Sequence, residues 1–110
     1  MPKQMPQRFD IYLVNFDPTV GREIKKSRPA VIVSPNFLNA FETIIVVPLT
    51  SSVKPYMGWR VDTEFQQISG QIATDQIRTI STQRLAKKLG SLPKKTAQEL
   101  SQKLSELFVY

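Results

Sequence analysis

The 110-residue sequence contains no cysteine and no histidine. Without cysteine there can be no disulfide, thiol nucleophile or zinc–thiolate site. Without histidine, the commonest general acid–base group and the commonest metal ligand are both missing. Chemistry must therefore be carried by carboxylates, hydroxyls and the cationic groups of Lys and Arg, with no metal and no cofactor expected. No apolar run approaches the length of a membrane span, and the N-terminal MPKQMPQR has no apolar core of signal-peptide length. A cytoplasmic protein without membrane contact is the expectation.

What is abundant is positive charge: 15 Lys and Arg against 9 Asp and Glu, a formal net charge of +6. Such a balance suits a polyanionic partner, nucleic acid or an acidic protein segment, as well as a merely basic, solvated surface. The length suits one domain with its own core.

Residues 1–8, with two prolines and polar side chains, read as a disordered arm, so the fold begins at Phe9 and runs to Tyr110. Period-two alternation predicts a strand from Phe9 to Val14. Pro29 opens a second strand through Val33, stopped by Ser34-Pro35-Asn36, which introduces a helical turn from Phe37 to Phe41. Thr43 to Val47 is a third, apolar strand that ends at Pro48, since proline cannot donate to a ladder. Gly58 to Asp62 alternates as a further strand. Gly70–Asp75 and Ile77–Ile80 read as one interrupted strand bent at Asp75-Gln76, and Ala86–Leu92 as another. After Pro93, Ala97, Leu100, Leu104, Leu107 and Phe108 recur at helical spacing and define a C-terminal amphipathic helix. The apolar strands Val31–Val33 and Ile44–Val47 are more than so short a chain easily covers, which predicts a symmetric homodimer.

One stretch combines chemistry with a rigid support: from Gly21 to Ser34 a polar, basic loop runs directly into a β-branched strand, placing Glu23 and Arg28 at its mouth. A carboxylate and a guanidinium so fixed can abstract a proton and hold a phosphate. Cleaving RNA without histidine requires a base for the ribose 2′-hydroxyl, a group that neutralises the phosphorane, and a donor to a non-bridging oxygen. Glu23, Arg28, Thr50, Ser51 and Asp75 supply that set. Each also has a plainer reading. Glu23 neutralises neighbouring cations, Arg28 is one more surface charge, and Thr50, Ser51 and Asp75 bond the backbone of turns. Trp59 on an alternating strand reads first as core, and the pairs Lys87-Lys88 and Lys94-Lys95 as solvated charge.

Three ordered motifs narrow the choice: DIYLVNFDPTVGREIKKSRPAVIVS from Asp10 to Ser34, VPLTS from Val47 to Ser51, and DQIRTI from Asp75 to Ile80. In this order and at these separations the chain resembles the MazF/PemK/Kid family of toxin endoribonucleases, from Phe9 to the C-terminal helix. The resemblance implies a mainly β fold with helices, a small SH3-like β-barrel of the CcdB–Kid type carrying a C-terminal amphipathic helix. It implies a homodimer that cuts single-stranded RNA at short sequences without a metal, leaving a cyclic phosphate and a 5′-hydroxyl. A cognate acidic antitoxin is implied as partner, its disordered segment folding onto the basic surface near Arg22, Lys25, Lys26 and Arg28.

By motif, the family's catalytic Arg before Pro falls on Arg28, its catalytic Thr on Thr50 and its loop carboxylate on Glu23. Lys25, Lys26, Ser51, Asp75, Gln76 and Arg78 are the implied RNA contacts. Two positions depart from the pattern. Phe9 stands where most relatives have Gly, and Ala73 where some place a catalytic Arg, which argues against an Asp75–Arg pair and for Arg28 with Thr50. The competing readings are a CcdB-like gyrase inhibitor, which has no use for the Arg28 and Thr50 motifs, and a nucleic-acid-binding barrel without activity, which needs neither Glu23 nor Thr50.

Overall fold

The structure, a computed structural model, describes residues 5–16 and 27–109. Among the described residues, seven strands are followed by one long helix: β1 (Asp10–Asn15), β2 (Ser27–Ile32), β3 (Thr43–Thr50), β4 (Val61–Phe65), β5 (Ile68–Ile72), β6 (Arg78–Ser81), β7 (Leu85–Ser91) and α1 (Lys94–Phe108). All pairings are antiparallel, in the order β4-β5-β3-β2-β1-β7, with β6 also paired to β3. The result is the curled, half-barrel sheet with a C-terminal helix that the CcdB–Kid likeness implies. None of the described helices is long and apolar enough to cross a membrane.

Strand alternation divides the core in two. Ile11, Val31, Val47, Val61 and Ile72 pack beneath Ala97 and Leu100 of α1. On the opposite face of the sheet, Val14, Ala30, Ile32, Ile44, Val46 and Ile80 form a second cluster. A β-branched strand that serves both clusters shows no polar alternation, hence the unbroken apolar runs in β2 and β3. Those runs are covered within the chain: Val31, Ile32, Ile44, Val46 and Val47 are at most 1% exposed. Within the same runs Val33 and Ile45 are half-buried, so less apolar strand surface is left for a second copy than the sequence argument supposes. The exposed apolar side chains lie elsewhere, among them Phe37 and Phe41 on the turn after β2.

Three further elements differ from expectation. β3 runs through Pro48 because at that rung the strand needs only an acceptor: the Ala73 N–H donates to the Pro48 carbonyl (2.9 Å). β3 then changes partners, pairing with β6 over Thr43–Val46 and with β5 at Leu49 and Thr50. The expected interrupted strand is thus two strands laid in succession against β3, separated by a 3₁₀ turn at Thr74–Gln76. The strand expected over Gly58–Asp62 begins only at Val61 and forms a hairpin with β5. Its two-residue turn, Gln66-Gln67, has φ of 52° and 67°, the left-handed geometry that hairpins require but that Gln does not advertise.

Phe9 does not begin the strand. Its φ of 73° makes it a left-handed hinge before β1, a conformation that glycine adopts most readily. The hinge is held by its N–H on Ile32 O (2.6 Å) and by the Leu92 N–H on its carbonyl (2.9 Å). Of the arm expected to be disordered, Gln7 and Arg8 are hydrogen-bonded to the fold. Their amides donate to Asp10 Oδ2 (2.9 Å) and Asn36 Oδ1 (2.7 Å) respectively.

Candidate active site

The β2–β3 pairing runs from Ile32 opposite Val46 to Ala30 opposite Pro48; beyond it Arg28 pairs with Val14 of β1 and Thr50 with Gln71 of β5. Alternation from Ala30 and Val46, both in the second cluster, puts Arg28 and Thr50 on the sheet face away from α1. Both line a cavity of about 350 Å³ bounded on its far side by the β4–β5 hairpin, with Ser51, Thr63, Phe65, Ser69 and Gly70 among its walls. The floor is part apolar and the rim carries hydroxyls and one guanidinium. Arg28 is exposed and makes no ion pair among the described residues.

The hydroxyl of Thr50 is oriented by its own turn. Where β3 ends, the Ser52 N–H donates to Thr50 Oγ1 (3.0 Å), occupying an acceptor position of the hydroxyl and leaving its proton to be given elsewhere. The opposite wall approaches closely: a Cβ on Gly70 would overlap the Thr50 carbonyl oxygen, so only glycine lets β5 lie against the end of β3.

Asp75 lies in a different setting. Arg60, its side chain 4% exposed, donates from Nε to Asp75 Oδ1 (2.8 Å) and from Nη2 to Asp75 Oδ2 (3.1 Å). The hydrogen bond from Arg60 holds the Asp75 carboxyl below its ordinary value against the opposing effect of burial, with the Trp59 indole acting in the same direction as Arg60. The same bond raises the already high Arg60 value. The missing arginine at position 73 therefore does not leave Asp75 unpaired. Ala73 is fully buried and the partner comes from Arg60, eight residues past Ser52.

Of the expected site residues, the structure gathers Arg28, Thr50 and Ser51 around one cavity. Asp75, Gln76 and Arg78 do not line it. Gln76 is exposed on the 3₁₀ turn, and the Arg78 guanidinium sits 5.2 Å from the Phe16 ring centroid. Glu23, Lys25 and Lys26 lie outside the described residues. Trp59 is 40% exposed rather than core, its carbonyl accepting from Thr74 Oγ1 (2.6 Å). Arg60 and Gly70 escaped the sequence reading. In the sequence Arg60 is one position of an alternating stretch, and neither residue carries a motif that marks its long-range partner.

Comparison with known proteins gives a consistent picture. The model of PemK-like, MazF-like toxins of type II toxin–antitoxin systems matches residues 7–108. The Mycobacterium tuberculosis endoribonuclease MazF9 is 35% identical over 108 aligned residues, covering 89% of each chain. The Escherichia coli K12 endoribonuclease toxin MazF is 32% identical, covering 96% of each. Among solved structures, MazF in a MazE–MazF crystal from Deinococcus radiodurans superposes with a TM-score of 0.81 at 28% identity over 96% of both chains.

Proposed function

This chain belongs to the PemK-like, MazF-like toxins of type II toxin–antitoxin systems and is, like its curated relatives, an endoribonuclease; we propose that it cuts single-stranded RNA without a metal, in the cavity between Arg28 and Thr50. In this reading the ribose 2′-oxygen forms a bond to the adjacent phosphorus while the bond to the 5′-oxygen breaks. The 2′-hydroxyl proton passes to a carboxylate base, for which Glu23 is the candidate, and a proton is returned to the departing 5′-oxygen. The products are a cyclic phosphate and a 5′-hydroxyl. Arg28 neutralises the phosphorane through the planar fork that suits phosphate oxygens, and Thr50 donates to a non-bridging oxygen. Lys25, Lys26 and Ser51 hold the flanking phosphates.

The observation that carries this reading is the Thr50 hydroxyl, which accepts from Ser52 N–H, donates to no group among the described residues, and lines one cavity with an exposed Arg28. A donor held in place before the substrate arrives loses nothing to reorganisation as charge develops. With no histidine or cysteine in the chain, the groups at hand favour this acid–base chemistry over a metal-held water.

The partners follow the same logic. An acidic segment of a cognate antitoxin would compete with RNA for the basic surface around Arg28, and two copies of the chain would form the working toxin in the cytoplasm. Incubating the purified protein with a long single-stranded transcript in excess chelator, then identifying the termini, tests the chemistry. Cyclic phosphate and 5′-hydroxyl ends are expected. Cleavage that stops in chelator and returns with magnesium overturns the proposal.

A further inference from the structure

The segment from Ser51 to Arg60 pairs with no strand among the described residues, yet it carries the Ser52 N–H that donates to Thr50. Ser52 is held at both of its backbone groups. Its N–H donates to Thr50 Oγ1 (3.0 Å), and its carbonyl accepts from Arg60 Nη1 (3.4 Å). Nε and Nη2 of the same guanidinium donate to Asp75 on the 3₁₀ turn. Neighbouring contacts tie this segment at further points: the Lys54 N–H donates to Gln71 Oε1 (2.9 Å), and Thr74 Oγ1 donates to the Trp59 carbonyl (2.6 Å).

We propose that Arg60 and Asp75 are positioning residues for the Thr50 hydroxyl, acting through Ser52: Asp75 fixes the plane of the Arg60 guanidinium, Arg60 fixes the Ser52 carbonyl, and Ser52 N–H fixes Thr50 Oγ1. This inference rests on the reading of Thr50 as a donor to the phosphate. The choice of side chains supports it. An ion pair with one buried and one water-accessible partner adds little net stability, but it imposes a defined geometry. Only Arg has a rigid fork able to reach two carboxylate oxygens and a carbonyl at once; the single ammonium of Lys cannot. The same contact favours the ionised Asp75 carboxyl, the form that accepts from both arms of the fork.

The test begins with an oligonucleotide spanning a mapped cut site, cleaved under single-turnover conditions by wild type, Thr50→Ala, Asp75→Asn, Arg60→Lys and the Thr50→Ala/Asp75→Asn double variant. Binding of the same oligonucleotide bearing 2′-O-methyl groups, which cannot react, is measured alongside. Thr50→Ala probes the premise alone, and full activity there ends both the donor reading and the positioning role. With Thr50→Ala impaired, Asp75→Asn and Arg60→Lys are each expected to lower the cleavage rate about tenfold, with affinity for the unreactive RNA within about twofold of wild type. Asp75→Asn should then add less than about a twofold loss on top of Thr50→Ala, because both act on one group. If the two losses multiply, or if Asp75→Asn weakens RNA binding as much as it slows cleavage, the positioning role is overturned while the donor reading stands. Arg60→Lys keeps a cation beside Asp75 but has no second arm for Ser52. It decides the matter should Asp75→Asn fail to fold, and a wild-type rate in Arg60→Lys overturns the proposal.

Discussion

Two arginines within this small protein are used in opposite ways. Arg28 stands exposed at the start of β2, lines the cavity and makes no ion pair among the described residues. Arg60 is buried and three of its nitrogens are engaged by Asp75 and the Ser52 carbonyl. The first is available to a phosphate that is not part of the protein. The second is committed to the protein and fixes the turn beside the first. A guanidinium can serve as a binding group or as a scaffold, and its surroundings decide which.

If that division is right, the largest effect belongs to the open site. Removing one preorganised donor typically costs ~100-fold to ~1,000-fold in turnover, so Arg28→Ala and Thr50→Ala should be nearly inactive on single-stranded RNA, with melting temperatures close to wild type. Arg28→Lys should recover little of the loss. Wild-type cleavage by Arg28→Ala would collapse the contrast.

The committed arginine should reverse the pattern and show itself in stability. Asp75→Ala leaves a side chain 4% exposed without its counter-ion, whereas Arg60→Ala leaves a carboxylate 29% exposed that water can reach. Asp75→Ala is therefore expected to cost about 2–3 kcal/mol in urea denaturation, and Arg60→Ala less. Equal losses would mean that burial does not set the asymmetry. Gly70→Ala sharpens the comparison from the other wall. Its new Cβ would push on the Thr50 carbonyl, and displacement of the donor should lower turnover by about tenfold, measured against Gly70 wild type on one transcript.

The smallest effect is on pH dependence. The Arg60 hydrogen bond holds the folded-state Asp75 carboxyl below its ordinary value. Stability from this shift is fully present above the unfolded-state pKa and is lost as pH falls through the lowered folded-state value. The melting curves of wild type and Asp75→Asn should thus converge on acidification below about pH 4, and curves that stay parallel would remove the linkage.

The positions of β1, β2, β7 and α1 were readable within a few residues, because apolar periodicity and the stops at Pro35 and Pro93 are local signals. Pro48 misled for the same reason: the rule that proline ends a strand is local, whereas the tolerance for it came from Ala73, distant in sequence. The tight β4–β5 hairpin was missed because Gln66 and Gln67 adopt left-handed backbone that their side chains do not signal. The motifs single out Arg28 and Thr50, and the structure places both on one cavity. The partner of Asp75 was not legible, since an ion pair between a turn residue and a loop residue leaves no spacing in the sequence to read.

By itself, then, the sequence determined which chemistry is possible, by omitting histidine and cysteine and supplying hydroxyls, carboxylates and an excess of cations, and it determined the family. Only the tertiary structure decided which groups meet. The curl of the sheet brings Arg28 and Thr50 to one cavity, the absence of a side chain at Gly70 lets β5 lie against the end of β3, and the Asp75–Arg60–Ser52 chain reaches the hydroxyl. The reason is one of range. Residue type and periodicity act over a few positions, whereas register, close approach and ion pairing are settled between segments that come together only when the sheet folds.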